Sequence, residues 1–181
     1  MIVATLLAAA LIGQAVPEWP AKPDDSWIQG GPVTLAGLRG RVVLIRFFMD
    51  ADCPYCRATA PTLNEFNDTF AARGLVVIGM YTPKPRPRTV TRDEVRGYVK
   101  SYGFTFPVAI DADWSALRWL WLDRVPGAAF TSSTLLIDRH GILRYVQEGG
   151  VYAKDAPDPQ ARKDYEEMRK AIVMLLSEPS S

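Results

Sequence analysis

Hydrophobic positions along this chain follow two periods. From Arg41 to Met49 the residues are apolar, β-branched or aromatic almost without a break, as in a strand buried on both faces. Leu75 to Met80 repeats that pattern. Between them Leu63, Phe66 and Phe70 recur at helical spacing after Pro54, and Gly74 tolerates the left-handed backbone that closes a helix. The three segments predict a βαβ unit with parallel strands and a right-handed crossover.

Further along, Thr91 and Glu94 have the spacing of a capping box, and Val95, Tyr98, Val99 and Tyr102 mark one helix face that Gly103 ends. Residues 107–110 form a short extended run. Asp113 is placed to cap a brief helix through Trp114, Leu117, Leu120 and Trp121, whose tryptophans are expected to serve core packing. Two apolar runs, 134–137 and 142–146, flank the turn residues Asp138 to Gly141 and predict an antiparallel hairpin. His140 falls in that turn, a surface position. Tyr165, Met168, Ile172 and Leu175 outline a final amphipathic helix. The lead-in, Val16 to Gly31, is irregular, with one short strand around Trp27.

At 181 residues, 48% of them hydrophobic, the chain has material for one good core, so residues 16–181 are read as a single domain. Residues 1–15 are an apolar run ending in small residues, shorter than a bilayer span, and read as a secretory signal peptide. That reading places the protein in the periplasm or outside the cell, where a cysteine pair persists as a disulfide. A formal charge of +1 and no nucleic-acid motif set nucleic acid aside, and no stable membrane span is expected. One histidine and two cysteines are too few for a closed four-ligand metal site within the chain.

Those two cysteines carry the candidate chemistry. Cys53 and Cys56 sit in Asp52-Cys53-Pro54-Tyr55-Cys56-Arg57, between the first strand and the first helix. Two cysteines at this spacing can close a small redox-active disulfide, with no other cofactor needed. Free amide groups and the helix dipole mark Cys53 as nucleophile, and Cys56, one turn on, is placed to resolve a mixed disulfide. Pro54 suits the first helical turn. Asp52 adds a negative charge beside Cys53 and Arg57 a positive one, and the balance is open.

The segment from Cys53 through Pro61 to Phe66 resembles the thioredoxin superfamily, in particular its exported TlpA/ResA-like branch. Leu35 to Leu44 and Leu136 to Gly141 are similar to flanking segments of that family. The resemblance implies a thioredoxin-like α/β fold, a central mixed β-sheet flanked by helices. It also implies a thiol–disulfide oxidoreductase that exchanges with disulfides or dithiols of partner proteins and is recharged by an upstream redox partner, working as a reductant. Three departures stand out. Asp52 replaces the usual tryptophan, Thr59 stands where many members have glutamate, and Thr131-Ser132 occupies the place of the substrate-facing cis-proline pair, where a trans bond is expected. Two rivals remain: a thiol peroxidase, which would need a threonine where Asp50 stands, and a non-enzymatic binding or copper-carrier module. Pro83 to Arg88, at the same sheet edge, is read as a solvated loop that its prolines keep out of regular structure, with a stiff basic rim for acidic partner proteins as the functional alternative.

Overall fold

Along the central strand Val42, Leu44 and Phe48 alternate with Val43, Ile45 and Phe47, and both sets are buried. A strand with two apolar faces requires a cover on each side, and the architecture follows from that need. The computed structural model describes residues 11–179. Its elements are β1 (Trp27–Gln29), β2 (Val42–Phe48), α1 (Pro54–Phe70), β3 (Leu75–Tyr81), α2 (Arg92–Tyr102), β4 (Val108–Ile110), a helical turn α3 (Ser115–Leu117), β5 (Thr134–Ile137), β6 (Leu143–Gln147) and α4 (Pro159–Ser177).

The six strands order as β1-β4-β3-β2-β5-β6. β2 pairs in parallel with β3, from Val42 opposite Leu75 to Phe48 opposite Tyr81, and β3 in parallel with β4. β5 joins the other side of β2 antiparallel, and β6 follows it as a hairpin. On one face Leu44 and Phe48 pack with Leu63, Phe66 and Phe70 of α1, Val95 and Val99 of α2, and Met168 and Ile172 of α4. On the other, Val43, Ile45 and Phe47 meet Trp19, Leu117, Leu120, Trp121 and Val125. Each such side chain, fully buried, contributes about 1.5–3 kcal/mol of transfer free energy.

Helix ends follow the expected chemistry with one exception. Gly74 takes φ 109° after a closing 3-10 turn, and Gly103 takes φ 68° behind α2. Thr91 Oγ1 accepts from Glu94 N–H, yet the Glu94 carboxylate turns to Arg88 and Tyr98, so only half of the capping box forms. The expected helix after Asp113 is the exception. Only Ser115–Leu117 is α-helical, and Arg118–Leu122 continues as a π turn. Its main cap is the buried Asp111, whose carboxylate accepts from the N–H groups of Ala116 and Leu117, while Asp113 takes Ser115. Of the tryptophans there, Trp121 is fully core and Trp114 packs half-buried against that core. Trp119 is exposed and donates to Glu18 O, and Trp114 donates to Pro83 O.

Of the segment read as a signal peptide, residues 1–10 lie outside the described part of the chain. The rest is seated on the domain. Leu11 is buried, Gly13 N–H donates to Leu143 O, Leu143 N–H to Gln14 O, and Ala15 bridges Ile142. No described helix is long and apolar enough to cross a membrane.

Candidate active site

Parallel pairing of β2 and β3 brings Phe48 and Tyr81 to the same sheet edge, so the loops that follow them share one end of the molecule. After Phe48 the chain turns through residues 49–52, with Cys53 N–H donating to Asp50 O. Cys53 then becomes the N-cap of α1. Its Sγ accepts from Cys56 N–H at 3.3 Å, and its carbonyl accepts from Arg57 N–H. Pro54 fills the first helical position, where no N–H is needed. Both thiols are free and buried, Cys53 at 6% exposure and Cys56 at 3%, so a partner meets Cys53 only at the rim of the core.

Burial pushes the Cys56 thiol up to about 11. The positive charge of Arg46 works against that shift, and the hydrogen bond to Cys53 adds to it. Around the pair the other named residues divide by exposure. Tyr55 stands 59% exposed, Asp52 is exposed, and Arg57 donates to Ala51 O and so ties the loop back to the helix. Asp50 is held more tightly. It accepts from Tyr81 Oη and faces Arg88 at 3.6 Å, and its carbonyl accepts from Tyr102 Oη at 2.6 Å. Burial and the Asp50 carboxylate together hold the Tyr81 phenol well above its ordinary range.

The basic segment after β3 lies beside this site, as its position in the topology requires, but it is not a free rim. Arg88 binds Glu94 as well as Asp50 and Tyr81. Lys84 is half-buried, with Nζ 5.9 Å from the Trp114 ring centre. Its burial favours the neutral amine, an effect that negative charge on Cys53 and Cys56 opposes. On the other flank, Phe47 N–H donates to Ser133 O, so the segment holding Thr131 and Ser132 runs beside the end of β2. The bond between Thr131 and Ser132 is trans, and the hydroxyls of Thr131 and Ser133 are buried without hydrogen-bond partners among the described residues. Beside Tyr55 a groove of about 840 Å³ opens between α1 and residues 150–158.

Sequence reasoning passed over three residues of this site. Tyr102 and Tyr152 read there as core or went unremarked. Arg46 went unremarked too, although a charge inside a run otherwise fit for burial on both faces was a legible signal.

Comparison with known proteins agrees with this geometry. The Redoxin family model matches residues 19–165. DipZ of Mycobacterium bovis is 29% identical over 121 residues, which is 65% of this chain and 16% of DipZ. The thiol-disulfide oxidoreductase ResA of Halalkalibacterium halodurans is 26% identical over 124 residues, 68% of this chain and 63% of ResA. The chain thus spans less than two thirds of either relative. Among solved structures, a putative thiol:disulfide interchange protein DsbE from Chlorobium tepidum superposes with a TM-score of 0.66 at 21% identity, covering 92% of this chain and 98% of that one, which establishes the shared fold. Sheet order, cysteine placement and these matches agree: the chain belongs to the Redoxin family and has the thioredoxin-like fold of its structural neighbours.

Proposed function

We propose that this chain is a protein thiol–disulfide oxidoreductase that acts outside the cytoplasm as a reductant. The observation that carries the reading is the position of the two free thiols in the first turn of α1, with Cys53 Sγ in contact with Cys56 N–H. In the first step the Cys53 thiolate attacks a disulfide of a partner protein. A Cys53–partner bond forms, the partner's own S–S bond breaks, and the released partner thiolate takes a proton from solvent. Cys56, as thiolate, then attacks Cys53 Sγ; the Cys53–Cys56 disulfide forms and the partner leaves with both sulfurs reduced. An upstream dithiol protein returns the pair to its reduced state. The groove beside Tyr55, two residues after Cys53, offers surface for the partner chain.

A redox titration in dithiothreitol buffers, followed by thiol alkylation and mass measurement, tests this. A reversible two-electron couple near about −270 mV is expected for a reductant, whereas one near about −120 mV makes the protein an oxidant. Cys53→Ser is expected to abolish exchange, and Cys56→Ser to accumulate a mixed disulfide. Peroxide turnover without a reversible intramolecular disulfide would replace the reading with a thiol peroxidase. Export rests on the apolar start of the chain, and fractionation of the tagged full chain checks it.

A further inference from the structure

Arg46 stands at the middle of the sheet with its side chain 1% exposed, an unusual place for a permanent cation. Alternation along β2 sets it on the face of Leu44 and Phe48, the face that holds Cys53 and Cys56, and away from that of Ile45 and Phe47. It pairs in register with Thr134 of β5. Nη1 donates to Thr134 Oγ1 at 3.1 Å, and that hydroxyl is in turn 3.1 Å from Tyr152 Oη. The guanidinium carbon lies 5.6 Å from the Tyr152 ring centre. Nη2 is buried without a hydrogen-bond partner, and no carboxylate lies within ion-pair distance among the described residues.

A buried guanidinium left uncompensated is costly, and packing on a phenol and one neutral hydrogen bond do not offset that cost. The site does generate an anion, at Cys56, but only during turnover. We propose that Arg46 is a positioning residue for the second step: its buried positive charge stabilises the Cys56 thiolate as that sulfur attacks the mixed disulfide. This rests on the oxidoreductase reading and adds a role to a residue that reading does not use. The groups facing Cys56 are Cys53 on its own helix, Arg46 from β2, Lys84 from the loop after β3, Tyr102 from α2 and Tyr152 from the loop before α4. Two of these are cations. Lys84 is the half-exposed one and acts on both sulfurs, while burial already disfavours its charge. Arg46, at 1% exposure, is the fully buried one and stands on the sheet face that carries the cysteines.

The size of the effect follows from the opposing dependence of thiolate fraction and nucleophilicity. For each unit by which the Cys56 pKa rises, the thiolate fraction falls about tenfold, and the greater basicity returns about threefold in nucleophilicity. Removal of the charge is therefore expected to slow resolution about threefold to tenfold at neutral pH, and to move the alkaline rise of its pH profile upward.

The test follows the two steps separately in the full chain, with glutathione disulfide as probe: formation of the Cys53–glutathione adduct, then its loss to the Cys53–Cys56 disulfide, by acid quench and mass measurement. In Arg46→Met the second step is expected to slow more than the first and its pH profile to shift upward, while Arg46→Lys, which keeps a cation, recovers much of the rate. Should Arg46→Met fail to fold, Thr134→Val, which removes the anchor of Nη1, is read the same way and is expected to shift the profile in the same direction. A second step with unchanged rate and pH profile in Arg46→Met, or in Thr134→Val if only that variant folds, overturns the role of Arg46 and leaves the oxidoreductase standing. If the wild type forms no adduct, or never resolves it, the oxidoreductase reading itself fails.

Discussion

Cys56 shows how a single buried thiol ties chemistry to stability. Its proton is retained in the fold up to about 11, against 9.0 for the free side chain. Below about pH 9 the thiol is neutral in both states and its contribution is whole. Above that the unfolded chain sheds the proton first, and the advantage is lost as pH rises through about 11. The gap corresponds to about 3 kcal/mol for the reduced protein. Urea melts of the reduced wild type are therefore expected to lose more stability between pH 8.5 and pH 11 than those of Cys56→Ser, by about 2 kcal/mol, most of the gap just derived. Parallel loss in both would show that the buried phenols, Tyr81 and Tyr102 among them, account for all of it. The two cysteines were readable because their spacing and the strand before them are local facts. Arg46 was readable only in part. A charge in an apolar strand is visible, but what it faces depends on β5 and on Tyr152, more than a hundred residues downstream of it in the second case.

The same division runs through the elements. β2, β3, α1, α2 and α4 announce themselves by period and by caps, since Thr91, Gly74 and Gly103 act on neighbours within a turn of themselves. The turn at 115–122 does not, because its cap comes from a tertiary arrangement. Asp111 leaves the end of β4 with no exposure, accepts two helix N–H groups, and pairs with Lys22, which arrives from the lead-in 89 positions away. Asp113, the cap expected from spacing, has a side chain 72% exposed. Removing one partner of a buried ion pair strands the other charge, at a cost of about 3–5 kcal/mol, and the lost cap adds about 1. Asp111→Ala is accordingly expected to destabilise the domain by about 4–6 kcal/mol in urea unfolding, and Asp113→Ala by less than about 1. Similar losses in the two variants would return the capping role to Asp113.

Across the whole molecule, the start of the chain is part of the fold. Residues 11–16 finish the β5–β6 side. Val16 N–H donates to Gly141 O, Gly13 N–H to Leu143 O, and Leu143 N–H to Gln14 O, while Leu11 is 5% exposed on the core beneath. A cut after Ala15 deletes the burial of Leu11, worth about 1.5–3 kcal/mol, and leaves edge groups of residues 142–143 to water in place of backbone partners, worth about 1 kcal/mol more. Composition alone could not reveal this, because the pairing partners of the segment lie in a hairpin more than 120 positions later. A chain that begins at Val16 is expected to be less stable than one that begins at Leu11 by about 2–4 kcal/mol, measured by urea unfolding of the two reduced proteins. The loss should be matched in part by Leu11→Ala in the longer chain, since burial of that side chain supplies most of the difference. Equal stability of the two chains would mean that the contacts of residues 11–15 add nothing to the domain, and the boundary after Ala15 would then separate a leader from a complete fold.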